Sequence, residues 1–265
     1  MEAQFDKIRK TPAYRVLAEA IMEQILDGRL PVGDPLPTEA RLCEMFGVNR
    51  STVREGIRVL EEAHLLRRES AKRMVISRPT DREIGEQVER ALILQEVSFT
   101  ELWEAMSVFE PQMAALAAER ADAAAIERLE VNLRETERAL QEGRSMVDLD
   151  IEFHALVAAV SDNRALMLAR EPMSHLFFPF FQTVLLRVPG AGRRLVDAHR
   201  QIVDAIRKGE AALAHEWMRK HVRDFRRGAK LAELDVTARV SAAAGRAPIE
   251  SGAFPEDGDE DGSLS

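Results

Sequence analysis

Between Pro79 and about residue 232 the chain repeats one pattern: an amphipathic segment of period near 3.6, then a short break carrying capping or turn residues. The segments fall near 81–96, 99–120, 122–142, 146–160, 163–187, 192–208 and 210–232. The breaks hold Ser98, Asp122, Gly143, Asp162-Asn163, Pro189-Gly190 and Gly209. Serine, aspartate and asparagine bond to free N–H groups at a helix start, and glycine takes the left-handed turn at a helix end. Helices with one apolar face and connections this short have to fold back on one another. The spacing therefore predicts an antiparallel all-helical bundle of six to seven helices.

The first 78 residues read differently. After a polar arm, a helix is expected from about Ala13 to Asp27, with Val16, Leu17, Ala20, Ile21, Ile25 and Leu26 on one face and Gly28 as its cap. Leu30 to Pro37 carries three prolines and a glycine and reads as a loop. Thr38 caps a short helix to about Met45, Gly47 breaks it, and Asn49 caps a longer one to about Ala63. Leu65 to Ser77 has a basic centre and ends in the β-prone Met74-Val75-Ile76, which predicts a two-stranded hairpin. Short helix, glycine turn and second helix form the helix-turn-helix pattern. The second helix opens on Asn49, Arg50, Ser51, Thr52 and Arg54. Arginine binds guanine bidentately and hydroxyls reach phosphates, so this mixture suits a recognition helix. By period alone, the segment also reads as an ordinary helical hairpin with a solvated charged face.

The net charge of −8 at first opposes nucleic acid, but it is unevenly spread. Residues 1–80 hold fourteen Lys/Arg against twelve Asp/Glu, and Glu250 to Asp261 holds six acids and no base. Local basic surface matters more to phosphate than the total. The single cysteine, Cys43, permits no internal disulfide and fits a reducing cytoplasm. The start has no apolar signal-peptide core, and Leu176 to Val188 is too short and too polar to span a bilayer, so no membrane role is expected. The expected domains are 1–78, 79–235 and a disordered acidic tail over 236–265.

Leu36-Pro37-Thr38-Glu39 followed by Gly47-Val48-Asn49-Arg50-Ser51-Thr52-Val53-Arg54-Glu55 resembles the winged helix-turn-helix of the GntR family of bacterial regulators. The resemblance implies that Arg50, Thr52 and Arg54 face an operator, with Arg41, Asn49 and Ser51 beside them and Lys72 and Arg73 on the wing. Two departures bear on which bases are read. Ala40 stands where an arginine is usual, with Arg41 one place later, and the wing Glu69-Ser70-Ala71-Lys72-Arg73 lacks the usual glycines.

The helical region adds a histidine constellation. His199 shares a face with Leu195, Ile202 and Ile206, and His221 shares one with Ala214, Trp217 and Phe225. Asp150 and His154 lie four apart on one side of the 146–160 helix. Burying a carboxylate and three imidazoles is costly, and a shared metal offsets that cost. Three imidazoles and one oxygen suit Zn2+, with Ni2+ and Mn2+ as further ions, and leave positions open for another ligand. Spacing alone leaves satisfied core histidines as a competing reading.

Asp150-Ile151-Glu152-Phe153-His154, then Ser161-Asp162-Asn163, then His199, Ile202, Ile206 and Gly209, then Met218 and His221, is similar to the FCD effector domain of FadR-type GntR regulators. That resemblance implies Asp150, His154, His199 and His221 as metal ligands. Many relatives carry an effector-binding arginine where this chain has Met106. With the run Phe177 to Phe181, this suggests an effector with a carboxylate and an apolar body, near Met106, Phe177, Phe181 and Arg187. Simple packing of the phenylalanines competes with that idea.

The whole reads as a homodimeric, metabolite-responsive DNA-binding regulator on an inverted-repeat operator, by default a repressor released by its effector. The rival readings are a metal-dependent hydrolase-like enzyme and a regulator whose metal is purely structural. Glu152, two residues from Asp150, is on a different face and gives the enzyme no evident base.

Overall fold

The computed structural model describes residues 11–70, 73–177 and 179–240, without the side chain of Pro179. The polar arm up to residue 10, Lys72 and the acidic stretch from residue 241 lie outside the described residues. The chain divides into two compact units, one ending at Glu83 and one beginning at Ile84.

In the first unit α1 (Ala13–Leu26), α2 (Glu39–Phe46) and α3 (Arg50–Glu62) precede an antiparallel hairpin of β1 (Leu66–Ser70) and β2 (Arg73–Ile76). Each boundary has a local cause. The Thr38 side chain accepts from the Arg41 N–H, and the Asn49 carbonyl oxygen accepts from the Thr52 N–H and the Ser51 hydroxyl. Gly47 ends α2 at φ 63°, a left-handed conformation that costs glycine little. One apolar core joins Leu17 and Ile21 of α1, Leu42 of α2, Val53, Ile57 and Leu60 of α3, and Leu66 and Ile76 of the hairpin. Gly56 lets α1 and α3 touch, since a Cβ there would sit 2.6 Å from Leu17 Cδ2. The hairpin pairs Leu66 with Ile76 and Arg68 with Met74, then bulges before Ser70. Part of the expected proline loop joins this sheet: the Leu36 N–H donates to Met74 O, and the Ile76 N–H to Asp34 O.

The second unit is helical: α4 (Asp81–Leu94, which starts just before the division), α5 (Phe99–Arg120), α6 (Ala123–Gln141), α7 (Val147–Val160), α8 (Arg164–Phe177), α9 (Pro179–Arg187), α10 (Ala191–Arg207) and α11 (Ala211–Leu231). The helix expected over 163–187 is helical on both sides of residue 178, as α8 and α9, with residue 178 outside the described residues. The second unit is thus the helical bundle expected, with eight helical segments among the described residues, two of them flanking residue 178. A capping box starts α5, with Ser98 accepting from the Glu101 N–H and the Ser98 N–H donating to Glu101.

The disorder expected from residue 236 does not describe residues 236–240. The Phe99 and Thr100 N–H groups donate to Ala238 O and Val236 O, the Val240 N–H donates to Val97 O, and Val240 is buried. An exposed helix start with free N–H donors gives this short segment its partners.

Two apolar clusters form the core of this unit. One holds Phe99, Leu102, Met106, Phe177, Leu195 and Phe225; the other holds Ala114, Leu129, Phe153, Val157, Ile202 and Val222. A polar residue separates them on each helix that crosses both. On α5 Glu110 stands between Met106 and Ala114, on α10 His199 between Leu195 and Ile202, and on α11 His221 between Phe225 and Met218.

Candidate metal centre and nucleic-acid interface

Three helices bring four side chains to one buried point. Asp150 and His154 come from α7, one turn apart; His199 comes from α10 and His221 from α11. One donor atom of each lies within 4.8 Å of all the others. Asp150 Oδ1 is 3.2 Å from His199 Nε2 and 3.8 Å from both His154 Nε2 and His221 Nε2, and the last two are 3.1 Å apart. Donors at the corners of a tetrahedron with bonds of about 2.1 Å are about 3.4 Å apart, which is the scale of these separations.

The hydrogen bonding points the same way. Asp150 Oδ1 and both ring nitrogens of His199 are buried without a hydrogen-bond partner among the described residues. Orphaned polar atoms this deep cost free energy unless something fills the point they share. The Phe153 ring stacks on His199 at 3.6 Å and fixes its plane. His154 donates from Nδ1 to Glu110 Oε2 at 2.8 Å, leaving Nε2 to face the cluster. A carboxylate behind a ligating histidine sets its tautomer and raises its basicity.

Burial holds His221 down to about 3 and His199 well below the ordinary histidine range, each pushed further by neighbouring imidazoles. Both are therefore neutral at pH 7, the form that ligates metal. Burial also acts to lower His154, but the charge and hydrogen bond of Glu110 outweigh it and its pKa is raised. Burial raises the Asp150 carboxyl. Glu110 is brought down to about 2, because Arg170 and His154 together overcome the effect of burial. The donor set fits a divalent cation: an added positive charge favours the Asp150 carboxylate and uses the His199 nitrogen that nothing else engages.

Glu110 and Arg170 are functional candidates that sequence reasoning missed. Arg170 of α8, 2% exposed, donates from Nε to Glu110 Oε1 at 2.6 Å, so Glu110 bridges the guanidinium to His154. The detectable signal was a lone acid on the otherwise apolar face of α5 formed by Met106, Met113, Ala114 and Ala117. Glu110 is also one turn from Met106, so a buried arginine meets the helix face where relatives are expected to carry their own.

The other candidate effector residues have packing partners. Met106, Phe177 and Phe181 belong to one apolar cluster, with Phe177 stacked on Phe99 at 5.3 Å and Phe181 against Phe225 at 5.4 Å. Arg187 is exposed and donates to Ala232 O at 3.2 Å, at the end of α11. Of the remaining histidines, His64 faces Glu83 at 2.8 Å, His175 is exposed beside Glu171, and His215 is half-buried. Glu152 accepts from Asn132 Nδ2 at 3.0 Å and offers the cluster no base.

In the first unit Arg50, Ser51 and Arg54 are exposed along the start of α3, with Thr52 half-buried between them. Asn49 serves as the cap, and Arg41 on α2 pairs with Glu44 at 2.9 Å. Arg54 reaches Glu39 at 3.0 Å. On the wing Arg73 is exposed and pairs with Glu69 at 2.8 Å. Exposed arginines beside a capped helix start give phosphate and base edges several charged donors on one face.

Comparison with known proteins gives two family matches. Residues 13–76 match the model described as bacterial regulatory proteins, gntR family, and residues 101–224 match the FCD domain. The chain is 27% identical over 238 residues to the Glc operon transcriptional activator of Escherichia coli K12, covering 86% of this chain and 93% of that protein. It is also 27% identical to the HTH-type transcriptional regulator LutR of Bacillus subtilis, covering 75% of this chain and 92% of the relative. The galactonate operon transcriptional repressor of Escherichia coli K12 is 27% identical too, covering 72% and 86%. Among solved structures, Streptococcus agalactiae GntR aligns with a TM-score of 0.56 at 27% identity, covering 81% of this chain and 99% of that one. These domains and relatives are transcription regulators, not enzymes. No helix among the described residues is long and apolar enough to cross a membrane.

Proposed function

Because this chain belongs to the bacterial GntR family, with a helix-turn-helix module followed by an FCD domain, we propose that it is a metabolite-responsive regulator that binds a divalent metal. The observation that carries this reading is the convergence of Asp150, His154, His199 and His221 on one buried point, with Asp150 Oδ1 and the His199 nitrogens otherwise unengaged. Zn2+ is the proposed ion, with Ni2+ and Mn2+ as the others this donor set accepts. A bound ion supplies a fixed positive charge that draws a carboxylate or other oxygen of an effector.

The chain's own residues do the rest. Asp150, His154, His199 and His221 hold the ion; Glu110 orients His154 and anchors Arg170. Met106, Phe177 and Phe181 offer the effector an apolar border. A relative named for the galactonate operon, galactonate being a carboxylate, supports that class of effector. Arg41, Asn49, Arg50, Ser51, Thr52 and Arg54, with Lys72 and Arg73 of the wing, are the proposed contacts to double-stranded DNA. Two copies of the chain on an inverted repeat would match the symmetry of two half-sites. Helix α5 carries Glu110 and follows α4, the segment leading out of the winged module, so strain at the site has a covalent route toward it. A coupling of about 1–3 kcal/mol changes operator affinity roughly 5–150-fold. Repression relieved by the effector is the proposed direction; both an activator and a repressor stand among the relatives.

The test is metal analysis of the purified chain beside His199→Ala and His221→Ala, each assayed for operator binding and for response to a panel of small carboxylates. The expected result is about one ion per chain, lost in both variants together with the response, while operator binding persists. A metal-free chain whose variants respond normally refutes the metal reading.

A further inference from the structure

The proposed site leaves a second charged feature unused. Beside the seam of α5 and α11 runs a groove of about 780 Å³, lined by Trp103 of α5 and by Arg219, Arg223, Arg226, Arg227 and Lys230 of α11. Little of this charge is neutralised within the unit. Arg219 bonds Glu216 at 2.7 Å, but Arg227 only approaches Asp224 at 3.9 Å, and that carboxylate already binds Arg194 at 2.9 Å. Arg226 lies over the Trp103 ring at 4.3 Å. Arg223 and Lys230 have no acidic partner among the described residues. The groove also has an apolar side: Leu231 lines it and is 57% exposed. Its chemistry fits a polyanion that carries an aromatic or aliphatic group.

The chain contains such a segment. Glu250 to Asp261 holds six acids, no base, and Phe254-Pro255. Its reach is set by the structure. The Val240 N–H donates to Val97 O at 2.8 Å, so the described chain ends beside the start of α5. Trp103 is six residues further along, about 9 Å of helix rise. The nine residues 241–249 span up to about 30 Å. Arg219 to Lys230 extends about 16 Å along α11, less than a twelve-residue segment covers when extended. A short tether of this kind presents its segment at an effective concentration in the millimolar range.

We propose that the acidic segment Glu250–Asp261 of this chain occupies the α5–α11 groove, its carboxylates meeting Arg223, Arg226 and Lys230 and Phe254 meeting Trp103 and Leu231. The segment then shields a second basic face from DNA phosphates, so that non-specific DNA is left to the winged module.

The experiment uses Trp103 as the reporter, with Trp217→Phe in every protein so that one tryptophan remains. Acrylamide quenching is compared between the full chain and a chain ended after Pro248. The full chain is expected to protect Trp103 at low salt and to lose protection near 1 M salt, where screening acts within about 3 Å. The shortened chain is expected to be unprotected at both. A synthetic peptide of residues 249–261 should restore protection saturably in the shortened chain, and should bind Arg223→Glu/Lys230→Glu about tenfold or more weakly. Those two side chains touch no internal acid, and the charge-keeping Arg223→Lys variant should bind as the parent does. Shortening should also tighten non-specific DNA binding and steepen its salt dependence. Equal quenching in full and shortened chains overturns the proposal, as does peptide binding indifferent to the charge reversal. Protection that survives shortening and rises with protein concentration assigns the groove to a second copy instead, and also overturns it.

Discussion

Replacing Glu110 with methionine leaves Arg170 as a buried guanidinium without its close carboxylate, with the half-buried Glu171 3.6 Å away. Glu110 and Arg170 are 1% and 2% exposed, so water does not compensate either charge. Breaking a buried pair of this kind costs about 3–5 kcal/mol, whereas replacing both partners by apolar side chains is often close to neutral. For a unit of this size each kcal/mol lowers the melting temperature by roughly 2–4 °C, so Glu110→Met should fall by roughly 6–20 °C. Arg170→Met should lose a comparable amount, and the double variant should recover most of it. Both tryptophans, Trp103 and Trp217, belong to the helical unit, so their fluorescence in urea follows that unit and not the winged one. The assay is a double-mutant cycle on metal-stripped protein at pH 7. If the two single losses simply add in the double variant, the pair is not coupled and the account of a mutually compensated buried charge fails. The same Glu110 variant should bind metal about 10–100-fold more weakly, because His154 loses the acceptor at Nδ1.

The carboxyl of Glu110 is depressed from 4.5 to about 2, so its contribution is complete above pH 4.5 and fades as pH falls through 2, on the order of 3 kcal/mol in all. Acid unfolding followed by tryptophan fluorescence should show that slope in the parent and not in Glu110→Gln; identical slopes contradict it. Gly56→Ala places a methyl 2.6 Å from Leu17 Cδ2 and 3.1 Å from Tyr14 O, which forces α1 away from α3 at a cost of about 1–3 kcal/mol. Circular dichroism melting of the winged unit checks it, and an unchanged midpoint means that the helices separate freely. Arg50→Ala and Arg54→Ala should each weaken specific operator binding by about 1–3 kcal/mol with the fold intact. Full operator affinity in a gel-shift assay would remove α3 from the recognition role.

Much of this architecture is legible because its causes are local. The caps at Thr38, Asn49, Ser98 and Asp122 announce helix starts in the sequence, and each side chain accepts the expected backbone N–H. Asp150, His154, His199 and His221 are visible because each interrupts or adjoins an apolar stripe. Arg170 is not, for a physical reason: its partner is 60 residues away on another helix, and no period within α8 records that distance. The pairing of residues 236–240 was hidden by composition, since Thr237 and Arg239 are exposed while neighbouring backbone supplies the bonds.

That pairing also has a temporal side. The Thr100 hydroxyl donates to Val236 O across 136 residues, so the first long helix of the bundle cannot complete its own start until nearly the whole unit has been made. At synthesis rates of about 5–20 residues per second, the growing chain waits roughly 7–27 s for those acceptors. Throughout that interval the N–H groups of Phe99 and Thr100 rely on water. Closure is then a late, long-range event, and a ribosome stalled before residue 236 would hold a nascent bundle with an unlatched first helix.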